Sequence, residues 1–303
     1  MSKVKVSKKE YKGWKNCIEV TNGIVDLLAT TDVGPRLIRF GFCGGKNEFG
    51  EFENQVGTTG GEQWKIYGGH RLWHSPENNP RTYCPDNTGI EWKKKKDGII
   101  LSQPVEPSTL IKKEMEITMS ADKAQVTVLH RLTNKGLWAV ELAVWAISVM
   151  AAGGIEVVPQ NTRDTGLLPN RMLSLWPYTK MNDKRVYWGD KYIILRQDSK
   201  AVSPFKFGLP NEAGWAAYAN GGNLFVKQYR HIEEAVYPDF SASSYETYTN
   251  DLILEMESLS PLVLLEPDES IEHTETWTLF ADIKAPENEK EIDEIVIPLI
   301  NSI

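Results

Sequence analysis

Apolar and polar residues alternate with a period of two along much of the chain. Met115, Ile117 and Met119 alternate with polar neighbours, and after a short polar turn the apolar residues of 126–129 continue the pattern. Side chains on a β-strand point alternately to the two faces of a sheet, so this pattern predicts half-buried strands. The two runs and the turn between them predict an antiparallel pair.

Turn signals separate further runs of the same kind. Asn22-Gly23 lies between the apolar runs 17–20 and 24–28, and Asn-Gly in this setting is typical of a tight hairpin turn. Strands are also predicted at 36–42, 193–195, 224–226, 253–257 and 274–280. The apolar stretch 138–150 fits a buried helix, but its neighbours favour a strand buried on both faces.

Only residues 288–303 have a mildly helical pattern, and no linker or repeat divides the chain. The sequence therefore predicts one all-β domain over residues 1–303, a large antiparallel β-sandwich.

Composition narrows the function classes. With 34 Lys and Arg against 41 Asp and Glu, the net charge is −7, which argues against a nucleic-acid partner. Cys17, Cys43 and Cys84 are widely spaced, so they predict neither a disulfide framework nor a zinc ribbon. Residues 1–15 are polar and no apolar run reaches 18 residues, so we expect a cytoplasmic protein without a membrane partner.

Residues 68–77 hold two histidines, an arginine and a glutamate: His70, Arg71, His74 and Glu77. The spacing of His70 and His74 suits a metal ion only on a helix, and the flanking Gly68-Gly69 and Pro76 make a helix unfavourable. We therefore expect a polar ligand-binding loop and no metal ion. Structural histidines are the alternative.

Three further segments combine charged and aromatic side chains in the way that ligand clefts do. They lie at 160–178, 206–239 and 245–257, and ordinary surface or strand positions are the alternative for each. Their candidate binding residues are Arg163, Arg171, Trp176, Lys206, Lys227 and Glu246. In the third segment, alternation places Glu255 and Glu257 on one strand face, where two neighbouring carboxylates raise each other's proton affinity.

Most of the chain, roughly residues 30–280, resembles the aldose 1-epimerase (galactose mutarotase) superfamily. The resemblance rests on Tyr248-Thr249-Asn250, on Glu255-x-Glu257 and on the turn 266–269 before the last strand. Residues 126–136 are similar to the central hairpin of that family. Segments 69–73, 168–171 and 176–178 resemble a bacterial branch of epimerase-like proteins.

The resemblance implies a β-sandwich that binds a sugar on its concave face and needs no cofactor. A glutamate removes the proton of the anomeric hydroxyl while a histidine protonates the ring oxygen, so the ring opens and closes as the other anomer. Spacing to Pro261 favours Glu257 over Glu255 as the base. The family's histidine has no counterpart at 142–146, so the acid would be His70 or His74.

Two other functions stay open at this point. Without the histidine near Trp145, the chain could bind a carbohydrate without catalysis, and a lyase or hydrolase step is a third possibility. A set of cations also suggests an acidic or phosphorylated sugar, because arginine binds such groups bidentately. These cations are Arg71, Arg163, Arg171, Lys206 and Lys227.

Overall fold

A computed structural model describes residues 3–303. Its strands are, in chain order, β1 (Lys5–Tyr11), β2 (Trp14–Thr21), β3 (Val25–Thr30), β4 (Arg36–Phe42), β5 (His70–Ser75), β6 (Glu91–Lys95), β7 (Gly98–Ser102), β8 (Ile111–Met119), β9 (Gln125–Asn134), β10 (Val140–Met150), β11 (Ile155–Pro159), β12 (Ser174–Leu175), β13 (Val186–Trp188), β14 (Tyr192–Arg196), β15 (Phe205–Leu209), β16 (Trp215–Asn220), β17 (Asn223–Tyr229), β18 (Tyr245–Thr249), β19 (Leu254–Leu259), β20 (Val263–Leu265) and β21 (Ser270–Phe280).

These strands form two large antiparallel sheets over the described residues. The first has the order β1-β2-β3-β4-β5-β10-β19-β18-β15-β12, with β20 paired to the start of β10. The second has the order β13-β14-β11-β16-β17-β21-β9-β8-β7-β6. The all-β sandwich predicted from the sequence is confirmed.

Local signals in the sequence explain several of these elements. β8 alternates buried and half-buried positions along its whole length, as its period-two pattern predicts. In the turn between β2 and β3, the Asn22 side chain accepts hydrogen bonds from the backbone N–H groups of Ile24 and Val25. The stretch predicted as a doubly buried strand is β10, which pairs with β5 on one side and β19 on the other.

The main hydrophobic core lies between the sheets. Phe40 of the first sheet contacts Phe225 and Trp277 of the second, with ring centroids 6.1 and 5.9 Å apart. Burying these rings provides much of the driving force that joins the two sheets.

Helical structure is confined to short segments in the described chain. The turn α1 (Pro238–Ser241) precedes β18, and α2 (Glu289–Glu291), a π-helical turn (Ile292–Val296) and α3 (Ile297–Ile300) lie near the C-terminus. Ile292 and Val296 pack against Val157 and Leu224 on the outer face of the second sheet. In the part of the chain described, no helix has the length and apolarity needed to cross a bilayer.

Candidate functional site

Strand β5 has one face toward the core and one toward a cavity. Leu72 packs in the core between the sheets, whereas Arg71 and Trp73 line a cavity on the outer face of the first sheet. The same alternation holds in β19, where Met256 is in the core and Glu255 and Glu257 line the cavity. Period-two geometry therefore selects which side chains can meet a ligand.

The cavity has a volume of about 550 Å³. Its floor is formed by central strands of the first sheet, and its walls come from the loops around residues 52–66, 77–83, 176–178 and 250–253. It is lined by Phe52, Trp64, Ile66, Arg71, Trp73, Glu77, Tyr83, Trp145, Trp176, Tyr178, Lys206, Tyr248, Asn250, Leu252, Ile253, Glu255 and Glu257.

Aromatic rings form a continuous wall of the cavity. The Trp73 ring lies 5.4 Å from that of Trp145, 4.9 Å from that of Trp64 and 5.2 Å from that of Tyr83. Trp73 and Trp145 are direct partners in the β5–β10 register. Such rings offer flat apolar faces with polar groups at their edges, which suits a ligand having both kinds of surface.

Lys206 lies between two buried carboxyl groups. Its Nζ is 2.8 Å from Glu246 Oε2 and 2.9 Å from Glu257 Oε2, and it lies 4.7 and 4.6 Å from the ring centroids of Trp145 and Trp176. Trp145 Nε1 also donates a 2.8 Å hydrogen bond to Glu257 Oε2. The ammonium is therefore held in place by four groups.

Burial shifts the titration of this cluster. It raises the pKa of Glu257, opposed by Lys206 and reinforced by Glu255, and it raises the pKa of Glu246 well above the ordinary value. Burial alone would lower the pKa of Lys206, but Glu246 and Glu257 together raise it.

Arg71 and Glu255 form a second charged pair beside this cluster. Arg71 donates a 2.8 Å hydrogen bond to Glu255 Oε1, and its guanidinium carbon lies 4.4 Å from the centroid of the Trp73 ring. Of the twelve residues predicted as site candidates, Arg71, Glu77, Trp176, Lys206, Glu255 and Glu257 line the cavity, and Glu246 contacts it through Lys206.

The sequence analysis expected a ligand-binding loop at 68–77, but residues 70–75 form the buried strand β5. His70 therefore points between the sheets, where its Nε2 lies 2.7 Å from His130 Nε2 and its Nδ1 lies 2.9 Å from Ser148 Oγ. Because His70 alternates with Arg71 along the strand, it cannot reach the cavity that Arg71 lines.

His70, His130 and Glu275 place possible metal-ligand atoms within 4.8 Å of one another. Glu275 already binds the ammonium of Lys227 at 2.8 Å, and the two imidazole nitrogens are at hydrogen-bond distance. A metal ion would add positive charge beside Lys227, so this arrangement is better described as a hydrogen-bonded network.

His74 also differs from its predicted place. It lies on the core side of β5, 3.4 Å from Glu106, and Glu106 is paired with Lys113 at 2.5 Å. Among the described residues, no histidine lines the cavity. Neither His70 nor His74 is placed to protonate a sugar bound there.

Three predicted cations are likewise outside the cavity. Lys227 follows Phe225 by two residues on β17 and shares its face, so its side chain enters the space between the sheets and pairs with Glu275. Arg163 and Arg171 are exposed on the irregular loop before β12, where Arg163 pairs with Glu212 and Arg171 binds the Asn161 carbonyl. An irregular loop has no periodicity from which its direction could be predicted.

The sequence analysis missed most of the aromatic wall. Trp73 follows Arg71 by two residues, so strand alternation places both on one face, and Trp145 occupies the region where the family's histidine is absent. No local signal identified Trp64 or Tyr83, because both reach the cavity from irregular loops.

Comparisons with known proteins agree on the fold at very low sequence identity. A galactose mutarotase-like protein from Lactobacillus casei superposes with a TM-score of 0.54 and 10% identity, covering 88% of this chain and 100% of that one. One from Clostridium acetobutylicum gives 0.53 and 11%, covering 92% and 99%. A galactose mutarotase related enzyme from Lactobacillus acidophilus gives 0.51 and 8%, covering 90% and 100%.

No family model and no curated protein matches the sequence. Because the structural matches are about one-tenth identical in sequence, they establish the architecture of the two sheets and leave the chemistry to the residues in the cavity. The chain has the galactose mutarotase-like fold.

Proposed function

We propose that this protein binds an aldose in the cavity on the outer face of the first sheet and interconverts its anomers. The observation that carries the proposal is Glu257, a buried carboxyl group that opens into an aromatic cavity. Both of its hydrogen bonds, from Trp145 and Lys206, end on Oε2. Oε1 takes none from the described residues and is therefore available to a ligand.

The size and lining of the cavity support a sugar. About 550 Å³ is within the usual range of small-molecule sites, roughly 300–1,000 Å³. The rings of Trp73, Trp145 and Trp176 offer faces for the apolar side of a pyranose, while Arg71 and Asn250 offer donors for its hydroxyl groups.

In this proposal Glu257 is the general base that removes the anomeric hydroxyl proton. Burial raises the pKa of Glu257, which makes it a stronger base than an ordinary glutamate. Glu255 contributes to that shift, and Arg71 holds Glu255 in place.

The charge balance of the cavity favours a neutral aldose over an acidic or phosphorylated one. Arg71 is already paired with Glu255, and Lys206 with both Glu246 and Glu257. Glu77 adds a further carboxylate to the lining. An anionic sugar would have to displace these carboxylates, which costs the energy of breaking buried ion pairs.

A non-catalytic carbohydrate-binding protein is the second candidate, and one observation favours it. The described residues that line the cavity include no histidine, whereas the resemblance implies one as the acid. Under this alternative the same cavity binds the sugar and Glu257 is only a hydrogen-bond acceptor.

Exchange NMR on a panel of hexoses and pentoses distinguishes the two. We expect at least one aldose for which the protein accelerates exchange between the α and β signals over buffer, and calorimetry should detect binding of the same sugar. Binding without acceleration would select the second candidate, and no binding of any sugar on the panel would reject both. Analysis of products from oligosaccharides tests the lyase or hydrolase alternative.

A further inference from the structure

The ammonium group of Lys206 has one donor left over. It carries three N–H bonds, and two acceptors are in contact with it, Glu246 Oε2 at 2.8 Å and Glu257 Oε2 at 2.9 Å. The described residues supply no third acceptor, and Lys206 lines the cavity. At least one N–H is therefore free to donate to a ligand.

Glu257 provides a free acceptor next to that free donor. Its Oε2 is used by Trp145 and Lys206, and its Oε1 is unused within the described chain. The site thus presents an acceptor and a donor side by side on two residues that are hydrogen-bonded to each other.

A cyclic aldose has the complementary pair of groups. The anomeric O1–H is a donor, the ring oxygen O5 is an acceptor, and both oxygens are bonded to C1. We propose that Lys206 is the general acid of this site and protonates O5 while Glu257 removes the proton of O1. This assignment rests on the proposed function and replaces the histidine that the resemblance implies.

The step balances with these two residues alone. Glu257 takes the O1 proton, and the electron pair of that bond forms the C1=O1 double bond. The C1–O5 bond breaks, and its electron pair takes a proton from Lys206, which becomes a neutral amine. After rotation about C1–C2, O5 attacks C1, its proton returns to Lys206, and Glu257 returns a proton to O1.

The surroundings fit an ammonium that must keep one orientation. The ring centroids of Trp145 and Trp176 lie 4.7 and 4.6 Å from the ammonium nitrogen, and Glu246 Oε2 lies 2.8 Å from it. Glu246 is fully buried and does not line the cavity. It is therefore a positioning residue, which also raises the pKa of Lys206.

The first test is Lys206→Met, which removes the donor and keeps most of the side-chain length. Anomer exchange is measured by NMR with the aldose on which the wild type is most active, and affinity is measured by calorimetry. We expect exchange to fall by about 10²–10⁴-fold, the usual contribution of a general acid, with affinity changed less than about 10-fold. Lys113→Met, which removes an equally buried ammonium outside the cavity, should keep wild-type exchange.

Glu246→Gln is the second variant and does not remove Lys206. Removing this carboxyl should lower the pKa of Lys206, so the alkaline limb of the exchange rate should move to lower pH, a change that a purely structural role would not produce. If the wild type is active and Lys206→Met keeps the wild-type exchange rate, Lys206 is not the general acid. An alkaline limb that does not move in Glu246→Gln also overturns the assignment of Lys206. A wild type inactive on every aldose instead overturns the proposed function itself.

Discussion

Glu246 and Glu257 lie directly opposite each other on the neighbouring strands β18 and β19, and both are buried. Two like charges in such a cross-strand pair are unfavourable, and burial increases the cost. Lys206 Nζ lies between them, 2.8 Å from Glu246 and 2.9 Å from Glu257, so the protonation of each of the three groups depends on the other two. Burying two carboxyl groups and an ammonium together is costly, and such clusters are typical of binding or catalytic sites.

The two glutamates of β19 should respond differently to substitution. Glu257→Gln keeps the shape of the side chain and removes the base, so anomer exchange should be lost while sugar affinity stays within about 10-fold, a change of about 1.4 kcal/mol. Glu255→Gln removes a charge that raises the pKa of Glu257, so the acidic limb of the rate should move to lower pH with much of the rate retained.

Exchange NMR over a pH series, with calorimetry at one pH, checks both variants. The reverse pattern would make Glu255 the base. If neither variant changed the exchange rate, this strand would have no catalytic role.

Trp176 should contribute to sugar affinity from the rim of the cavity. It is half-buried, so Trp176→Ala should cost little stability but weaken binding by roughly 10-fold, the loss of about 1–2 kcal/mol of stacking. Trp138→Ala is the matched control, because Trp138 is 83% exposed and lies outside the cavity lining. Equal affinities for both variants would argue that the sugar binds elsewhere.

The histidines outside the cavity should not shape the pH dependence of catalysis. His74→Gln removes a buried contact with Glu106, so the melting temperature should fall, but the midpoints of the pH–rate profile should stay where the wild type has them. Differential scanning fluorimetry and exchange NMR measure the two effects. A shifted midpoint would return His74 to the acid role.

Glu156 should make stability depend on pH. Burial raises its pKa to about 8, although Tyr245 donates a 2.5 Å hydrogen bond to Oε1. The folded state then binds more protons than the unfolded state between about pH 4.3 and 8. The free energy of unfolding therefore falls as pH rises through that window, by about 1.4 kcal/mol for each pH unit.

Glu156→Gln does not titrate and can still accept the Tyr245 hydrogen bond. In urea unfolding at pH 5 and pH 9, the free energy of unfolding of the variant relative to that of the wild type should therefore be higher at pH 9. A stability difference between the two proteins that is the same at both pH values would mean that Glu156 ionises normally.

Periodicity predicted several of the strands and part of the site. Alternation in β8, β9 and β19 predicted the strands and placed Glu255 and Glu257 on one face, as the structure has them. The same rule applied to residues 70–75 would have separated His70 and His74 from Arg71. The flanking glycines and proline suggested a loop there instead, and tertiary pairing with β4 and β10 made it a strand.

Other parts of the site depend on contacts that no local pattern encodes. Lys206 meets Glu246 and Glu257 only because β15, β18 and β19 are neighbours in the first sheet. Trp64 and Tyr83 reach the cavity from irregular connections, where burial depends on the whole fold. Sequence pattern therefore predicts which face of a strand a residue occupies and leaves its partners across strands and loops open.

A crystal structure of the protein soaked with the aldose on which it is most active tests the central claim most directly. We predict density for the sugar in the aromatic cavity, with O1 within hydrogen-bond distance of Glu257 Oε1 and O5 within hydrogen-bond distance of Lys206 Nζ. A sugar bound in this cavity with C1 turned away from Glu257 and Lys206, or bound only outside it, would contradict the account.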